Sequence, residues 1–389
     1  MIRILHVFGQ LNVGGAESRI MDLYRNIDRT EIQFDFVVHS AERGFFEDEV
    51  ESLGGRVFRM PRYKVVNQIE YERAWKEFFE EHKDEFKMIQ GHMTSTASIY
   101  LPIAKSMGVG VTIAHVRSAG VDPGVKGVMT RVLRANLAKK ADYLFACSEA
   151  AAISAYGKKA FEQGMTTFIP NAINTDQFKF DPAIRAEVRE ELGISDKYVI
   201  GHVGRFHYAK NHEYLLSVFK EILNKKDSGE TKLDPVLLLI GAGPRMDEMK
   251  ELAVKLQIDD KVLFIGNKSD IYRYYNAMDC FVYPSRYEGL PGTVVEAQAS
   301  GLRCLISDRI CREVYVTDAI MGMNIDAPEC IWADKTLECD FKAPKDREKY
   351  ARIVADAGFD VKTQAAKMMQ FYKTGMLGVL QDGNTETGK

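Results

Sequence analysis

Short apolar runs alternate with amphipathic helical patterns along the chain, and this alternation constrains the fold more than any other feature. In the first half the runs predict strands at Ile4–Phe8, Phe34–Val38, Arg56–Arg59, Met88–Gln90, Val111–His115 and Tyr143–Ala146. In the second half they predict strands at Val199–Gly204, Val236–Ile240, Val262–Ile265, Cys280–Tyr283 and Cys304–Ile306. Strands separated by helices pair in parallel and are covered by helices on both faces. The chain is therefore predicted to be an α/β protein with two doubly wound, Rossmann-like domains.

The boundary between these domains is predicted near Gln177, after Ile169-Pro170-Asn171. The segment Asn174–Arg189 is rich in charge, contains Asp181-Pro182 and has no strand period. The first domain then covers residues 1–177 and the second covers residues 178–359. A helical pattern returns in the tail, at about residues 360–378. A chain of 389 residues is also too long for one ordinary core.

Composition limits the classes of function. Hydrophobic residues make up 46% and charged residues 28% of the chain, as in soluble globular proteins. A net charge of −3 argues against a nucleic-acid partner. The chain enters a strand directly after Met1, which argues against a signal peptide, and no apolar run approaches the ~20 residues of a membrane span. The six cysteines form no C-x-x-C pair, so we expect small buried residues in a reducing cytoplasm.

The stretch Tyr283–Ala297 carries the strongest functional pattern. It predicts the end of a buried strand, a turn of glycine and proline, and a helix that Pro291 or Gly292 can open. Helix N-termini present unpaired N–H groups to anions. Glu288 precedes the turn and Glu296 lies about one turn inside the helix, so both can face one ligand. Ionised carboxylates accept hydrogen bonds from sugar hydroxyls, so the stretch predicts a nucleotide-sugar site; two solvated glutamates on a surface turn are the alternative.

A second pattern follows the first strand of the second domain. The strand ends at Gly204, and Arg205 and Lys210 stand on either side of the turn that leads to the next helix. Arginine binds an anion as a fork and lysine binds it as a point charge, so both can reach one anion. Two solvated cations on a loop are the alternative.

These motifs resemble those of the retaining GT-B glycosyltransferases of the GT4 family, also called group 1 glycosyltransferases. The spacing Glu-x7-Glu from Glu288 to Glu296, together with Arg205 and Lys210, carries the resemblance. It implies two Rossmann-like domains that face each other across a cleft, with a C-terminal helix that crosses back to the first domain. It also implies retaining transfer of a hexose from a UDP- or GDP-sugar to a saccharide or lipid-linked acceptor, in exopolysaccharide, capsule or lipopolysaccharide biosynthesis.

The same resemblance assigns roles to individual residues of the second domain. It implies that Glu288 holds the hydroxyls of the donor sugar and that Glu296 holds the ribose. The residues that it places at the donor diphosphate are Gly204, Arg205, Lys210, Gly289 and Leu290. Two further strand–helix turns come under the same expectation: Gly241 near the diphosphate and base, and Gly266-Asn267 with backbone groups for the nucleobase.

Two candidates lie in the first domain. Gly14-Gly15 follows the first strand, and two glycines there let the backbone approach a phosphate or sugar, although the G-x-G-x-x-G fingerprint is absent. The resemblance places this turn beside the donor diphosphate; a tight turn without a ligand is the alternative. His115 ends a predicted strand, and the resemblance makes it catalytic, facing the donor sugar and acceptor. A structural histidine is the alternative.

The chain contains no D-x-D sequence, so neither a divalent metal nor another cofactor is expected. In a GT-B enzyme the negative charge that develops on the leaving diphosphate would be stabilised by cations and helix N-termini instead. Arg205, Lys210 and Glu288 are therefore predicted to act in catalysis. No nucleophile stands out, and the resemblance suggests front-face attack in which the leaving phosphate takes the proton of the acceptor.

The predicted helix Val125–Lys139 interleaves apolar and basic residues. Its first interpretation is an amphipathic helix that packs on the domain and exposes a solvated basic face. The alternative is a surface patch that meets the inner leaflet of a membrane and a lipid-linked acceptor. The location is accordingly predicted to be cytoplasmic, with peripheral membrane contact as the alternative.

The fold alone does not determine the reaction. A nucleotide-sugar epimerase or a sugar phosphorylase would share it, and so would a non-catalytic partner that binds a sugar nucleotide. The full set of Glu288, Glu296, Arg205 and Lys210 favours a transferase over the non-catalytic partner.

Overall fold

The computed structural model describes residues 1–117, 124–338 and 344–381, and the chain forms two compact units. Unit 1 comprises Met1–Ala172 and Asp360–Lys389, and unit 2 comprises Ile173–Phe359. The division falls a few residues before the predicted boundary at Gln177. The reason is that Ile173 already donates its backbone N–H to the carbonyl oxygen of Phe359 in unit 2.

Unit 1 is built on a parallel sheet of seven strands, in the order β3-β2-β1-β4-β5-β6-β7. The strands are β1 Ile2–Phe8, β2 Ile32–Val38, β3 Val57–Arg59, β4 Phe86–Gly91, β5 Val111–Val116, β6 Tyr143–Ala146 and β7 Thr166–Phe168. Its α/β class is as predicted, and β2 is buried along its whole length, as expected of a strand covered on both faces. The sequence did not predict β7, because three residues at a sheet edge carry no apolar run.

Helices connect these strands. They are α1 Gly15–Asn26, α2 Glu47–Ser52, α3 Gln68–Glu81, α4 Thr94–Ser106, α5 Val125–Arg134, α6 Glu149–Tyr156 and α7 Lys158–Glu162. The predicted helix to Lys139 is too long, since α5 ends at Arg134. Ala135 has ψ of 128° and Asn136 has φ of +64°, so the backbone leaves the helical region there.

Unit 2 has a parallel sheet of six strands, in the order β10-β9-β8-β11-β12-β13. The strands are β8 Tyr198–Val203, β9 Pro235–Ile240, β10 Val262–Gly266, β11 Cys280–Tyr283, β12 Arg303–Ser307 and β13 Ile320–Met323. The predicted strands of this half are therefore present. The edge strand β13 was not predicted, because its sequence Ile-Met-Gly-Met contains a glycine and only Met323 is buried.

The helices of unit 2 are α8 Pro182–Glu191, α9 His212–Asp227, α10 Met246–Lys255, α11 Ile271–Ala277, α12 Gly292–Ala299, α13 Glu329–Leu337 and α14 Tyr350–Val354. Helix α8 occupies much of the charged segment Asn174–Arg189, for which the sequence predicted no helix. Asp181 caps it by accepting from the N–H groups of Ala183 and Ile184, and Pro182 is its first residue. Asp181-Pro182 was thus a helix-start signal.

The tail returns to unit 1, as predicted. Helix α15 spans Val361–Thr374 and ends at Gly375, which has φ of +72°; α16 spans Gly378–Gln381. Met368, Phe371 and Tyr372 of α15 are buried in one apolar cluster with Ile4 and Phe34 of the sheet. The last long helix therefore completes the core of the first unit.

Two further expectations concern membrane spans and cysteines. In the described ranges, every helix is too short or too polar to cross a bilayer. Cys147, Cys280 and Cys304 are buried, as expected, but Cys330 is exposed on α13. Cys339 lies outside the described residues.

Candidate active site

The strand order of unit 2 creates a switch point between β8 and β11. From β8 the sheet continues to β9 and β10 on one side, whereas β11 lies on the other side. Ligands of doubly wound sheets bind outside the carboxyl ends of the strands at such a point. The loops that follow β8 and β11 are the two that carry Lys210 and Glu288.

Three of the predicted glycine turns are joined at this edge of the sheet. Gly204 donates its N–H to Ile240, and Gly241 donates its N–H to Gly266, each at 2.9 Å. Gly241 has φ of +137°, and a Cβ atom there would overlap the carbonyl oxygen of Gly204. A side chain at residue 241 is therefore excluded both by conformation and by space.

Lys210 and Glu288 form an ion pair at the switch point. Lys210 Nζ donates to Glu288 Oε1 at 2.6 Å, and the two side chains are 18% and 14% exposed. Lys210 also donates to the hydroxyl oxygen of Tyr283, and that hydroxyl donates to Glu288 Oε1 at 3.2 Å. The structure thus brings together two of the predicted catalytic residues with a third side chain that was not predicted.

The charge of Lys210 is secured by these neighbours. Burial alone would lower the pKa of Lys210, but the negative charge of Glu288 and the Tyr283 hydroxyl outweigh it and raise that pKa above its usual value. The ammonium has three N–H donors, and Tyr283 and Glu288 take two of them. One donor remains for an anionic oxygen of a ligand.

Arg205 lies differently from Lys210. Its side chain is exposed after Gly204, and it forms no ion pair with any residue in the described part of the chain. Lys210, in contrast, folds back over Gly204, where its Cδ is 3.4 Å from the position of an added Cβ. The two cations therefore lie in different environments: Lys210 is held in place by its partners, and Arg205 is in solvent.

Helix α12 begins at Gly292, as the sequence predicted, with Pro291 as its N-cap residue and no side-chain hydrogen bond to the cap. Gly289 and Leu290, which precede it, are both buried. Glu296 is one turn inside the helix and only 2% exposed. Its Oε2 accepts from the hydroxyl of Tyr275 at 2.9 Å. Glu296 is thus a held carboxylate rather than a solvated one.

The turn after β10 is more open. Gly266 has φ of +78°, and no heavy atom lies within 4 Å of the position of an added Cβ. The Asn267 side chain that follows is exposed. This turn leaves room beside its backbone, as the predicted contact with a base requires.

Unit 1 has its own switch point, between β1 and β4. Gly14 is the N-cap residue of α1 and Gly15 is its first residue, so the predicted strand–turn–helix order is present. The carboxylate of Glu17 in the first turn lies against Gly14. An acidic side chain of the helix itself therefore occupies the neighbourhood of its N-terminus.

His115 is fully buried near the end of β5. Its Nδ1 accepts a hydrogen bond from the side-chain amide nitrogen of Gln90 at 2.6 Å. The side-chain oxygen Oε1 of Gln90 in turn accepts from the hydroxyl of Tyr372 in α15 at 2.7 Å. Its Nε2 has no hydrogen-bond partner among the described residues. Burial lowers the pKa of His115 well below its usual value, and the positive charge of Arg117 adds to this effect. The imidazole is therefore a neutral group at physiological pH.

Two other histidines accompany it. His6 Nδ1 lies 3.2 Å from His92 Nε2, and the ring of His92 lies 5.2 Å from that of His115. Burial lowers the pKa of His6 to about 3 and lowers that of His92 as well. The sequence did not predict that the three rings meet, because His6 lies within β1 whereas His92 and His115 lie at the ends of β4 and β5.

Sequence reasoning also missed Tyr275 and Tyr283, the two hydroxyls that hold Glu296 and Glu288. Both lie in patterns that indicate buried helix and strand, so their aromatic character was explained by the core. A tyrosine instead of phenylalanine at a strand end that precedes an acidic turn was the available signal.

Comparison with known proteins agrees with this architecture. Residues 184–352 match the family model "Glycosyl transferases group 1", and residues 14–172 match the model "Glycosyl transferase 4-like domain". These two regions correspond to most of unit 2 and most of unit 1.

Full-length relatives point the same way. The chain is 31% identical to the putative glycosyltransferase EpsF of Bacillus subtilis, over 95% of this chain and 96% of EpsF. It is 24% identical to the capsular polysaccharide biosynthesis glycosyltransferase CapH of Staphylococcus aureus, over 96% of this chain and 99% of CapH. The crystal structure of Anabaena HepE in complex with UDP and glucose shares the fold, with a TM-score of 0.75, 18% identity and coverage of 96% and 100%. From the two family models and the identity with EpsF, the chain belongs to the group 1 glycosyltransferases and has the GT-B type of fold.

Proposed function

We propose that this glycosyltransferase moves a sugar, with retention of configuration and without a divalent metal, from a nucleoside-diphosphate sugar to a saccharide or lipid-linked acceptor. The donor binds at the carboxyl edge of the unit 2 sheet. The observation that carries this proposal is the Lys210–Glu288 ion pair, which lies at the switch point next to the uncapped start of α12.

The reaction places negative charge on the leaving diphosphate when the anomeric C–O bond breaks. Lys210 offers its remaining N–H to that charge, and Arg205 can swing in from solvent to form a bidentate contact. The N–H groups of Gly289 and Leu290 and the start of α12 add positive potential at the same place. Fixed positive groups of this kind lower the barrier because they need no rearrangement in the transition state.

The two carboxylates select the sugars on either side of the diphosphate. Glu288 accepts from hydroxyls of the donor sugar, and Glu296 accepts from the ribose. The open backbone at Gly266 and Asn267 receives the nucleobase, with Gly241 between base and diphosphate. Gly14, Gly15 and His115 remain predicted contacts of the donor and acceptor from unit 1. His115 is neutral and therefore would act as a hydrogen-bond donor or acceptor rather than as a charge.

The comparisons support this choice of donor and pathway. HepE, which shares the fold, is described in complex with UDP, with UDP and glucose, and with UDP-glucose. CapH is described as an enzyme of capsular polysaccharide biosynthesis. An exopolysaccharide or capsule intermediate is thus the acceptor class that we propose.

Single substitutions test the site. We expect Lys210→Ala, Arg205→Ala and Glu288→Gln each to lower transfer of radiolabelled sugar from UDP- or GDP-sugars by about 100-fold. Lys225→Ala is the matched control, since Lys225 also pairs with two acids of unit 2 but lies outside the site. Full activity in Lys210→Ala and Glu288→Gln would refute the proposed roles.

Two finer parts of the proposal have separate tests. Retention predicts that the transferred sugar has the same anomeric configuration in the product as in the donor. The NMR coupling constants at the anomeric centre measure this configuration. Metal independence predicts unchanged turnover in EDTA. Among the described residues, no three His, Cys, Asp or Glu side chains are arranged to hold a metal ion. Inversion, or full loss of activity in EDTA that Mg²⁺ restores, would contradict the respective part.

A lipid-linked acceptor would require contact with a membrane surface, and α5 supports that contact. Val128, Met129 and Val132 of this helix are exposed, at 58%, 38% and 67%. The first interpretation of the helix, with its apolar side packed on the domain, does not explain this exposure. Residues 124–140 also contain five basic side chains and no acid. An exposed apolar strip flanked by cations fits an anionic lipid surface.

Sedimentation with vesicles that contain phosphatidylglycerol tests this contact. We expect the wild-type protein to sediment with anionic vesicles, and the double variant Val128→Asp/Val132→Asp to stay in the supernatant. Val254→Asp is the control, because Val254 is also an exposed valine on a helix, at 60%, but lies in unit 2. Absence of wild-type sedimentation, or equal loss in both variants, would reject membrane contact through α5.

A further inference from the structure

Tyr283 connects the two charged side chains of the donor site. It is the last residue of β11 and is completely buried, with its ring stacked on Phe281 at 5.7 Å and on His202 at 5.1 Å between centroids. Its hydroxyl accepts from Lys210 and donates to Glu288 Oε1. The ring is thus fixed by the core, and only the hydroxyl reaches the site.

We infer that Tyr283 is a positioning residue for glycosyl transfer, which acts by holding Lys210 and Glu288 in place while the donor separates them. This inference rests on the proposed roles of Lys210 and Glu288. Tyr283 itself is not expected to touch the donor.

The reason lies in the partners that compete for the two members of the ion pair. A diphosphate attracts Lys210 and sugar hydroxyls attract Glu288, so donor binding must weaken the 2.6 Å contact between them. Two charges separated in a partly buried site lose much of their mutual stabilisation. A tyrosine hydroxyl accepts and donates at the same time, so it remains a partner for both groups. It therefore reduces the cost of opening the pair.

The protonation state of Tyr283 agrees with this role. Burial raises the pKa of the Tyr283 hydroxyl, and the negative charge of Glu288 raises it further. The hydroxyl consequently keeps its proton at neutral pH and can donate it to Glu288.

Tyr283→Phe removes the hydroxyl and leaves the ring. With a UDP- or GDP-sugar that the wild-type enzyme turns over, we expect kcat to fall about tenfold, as for the loss of a hydrogen bond to a charged group. The donor KM should change less than kcat, and the thermal midpoint should stay close to that of the wild type. Tyr214→Phe is the matched control, since its hydroxyl donates to the carbonyl oxygen of Ala327 at 2.6 Å in the same unit.

A double-mutant cycle separates positioning from a purely structural effect. If Tyr283 acts through Glu288, Tyr283→Phe should lower kcat much less in the Glu288→Gln background than in the wild type. Equal effects in both backgrounds, or a lower thermal midpoint with unchanged kcat, would overturn the inference while leaving the role of Glu288 intact. Full activity of Glu288→Gln would instead overturn the proposed function, and this inference with it.

Discussion

The backbone of Gly241 lies directly against the carbonyl oxygen of Gly204, with no space for a side chain between them. The two residues follow neighbouring strands, and Phe206 also donates its N–H to Ala242 at 3.1 Å. The turn that carries Arg205 and leads to Lys210 therefore rests on the turn after β9. A change at residue 241 should displace Arg205 and Lys210 of the proposed donor site without touching either side chain.

We predict that Gly241→Ala destabilises unit 2 by about 3 kcal/mol, because the new Cβ adds a clash to an unfavourable φ. Gly266→Ala is the control that measures the destabilisation caused by the unfavourable φ alone. Its φ is +78° and the space around it is open, so about 1 kcal/mol is expected. Urea unfolding of both variants measures the difference. Equal destabilisation would show that the contact with Gly204 is unimportant.

A second prediction concerns the ion pair. Lys210→Met leaves Glu288 partly buried without its cation, since both side chains are less than one-fifth exposed at 18% and 14%. Removal of one partner should cost about 2 kcal/mol of unfolding free energy, less than for a fully buried pair. The double variant Lys210→Met/Glu288→Gln should recover most of this loss. A double variant that is no more stable than the single one would contradict the argument.

Much of this arrangement follows from sequence patterns. The apolar runs fix the parallel strands, and strand–turn–helix order places Gly204, Gly241 and the start of α12 at one edge of a sheet. Local signals of this kind are strong because a glycine turn and a helix start depend on adjacent residues. The contact between Glu288 and Lys210 could have been predicted in the same way, because both residues follow strands that end at the switch point.

The parts that were not predicted depend on contacts between distant segments. Tyr372 approaches Gln90 only because α15 packs on unit 1, and no local pattern relates these two residues. The short edge strands β7 and β13 have too few residues to show a period. The sequence did not predict the exposure of Val128 and Val132 on α5, because a hydrophobic period shows which residues share a face but not whether that face is covered.

The third prediction is a loss of stability in weak acid. The pKa of His202 is lowered from 6.5 to about 4, chiefly by burial, with the hydrogen bond to Val282 opposing this shift and the nearby charge of Lys210 adding to it. Below pH 6.5 the unfolded chain binds a proton that the folded chain does not, so the unfolding free energy falls. This histidine should contribute a slope of about 1.4 kcal/mol per pH unit between pH 6.5 and pH 4.

Urea unfolding from pH 8 to pH 4.5 tests this, with His202→Gln as the comparison. The variant is expected to be less stable at pH 8, but its free energy should fall less steeply below pH 6.5. The comparison uses the slope of the unfolding free energy with pH, so a lower stability of the variant at pH 8 does not affect it. Identical slopes would mean that His202 titrates normally in the folded protein.

The last prediction concerns the proton of His115. The hydroxyl of Tyr372 donates to the side-chain oxygen Oε1 of Gln90 at 2.7 Å, which orients the amide nitrogen of Gln90 toward His115 Nδ1. Because Nδ1 accepts this hydrogen bond, the proton of the neutral ring resides on Nε2. Nitrogen-15 NMR of histidine-labelled protein should show this tautomer in the wild type. Tyr372→Phe frees the Gln90 amide to rotate and should give a mixture of tautomers. Tyr143→Phe is the control, because its hydroxyl donates to Gly375 at 2.6 Å and it also removes a contact with the end of α15. A single Nε2–H form in Tyr372→Phe would show that α15 does not set the tautomer, and the hydrogen bond from Gln90 alone would then account for it.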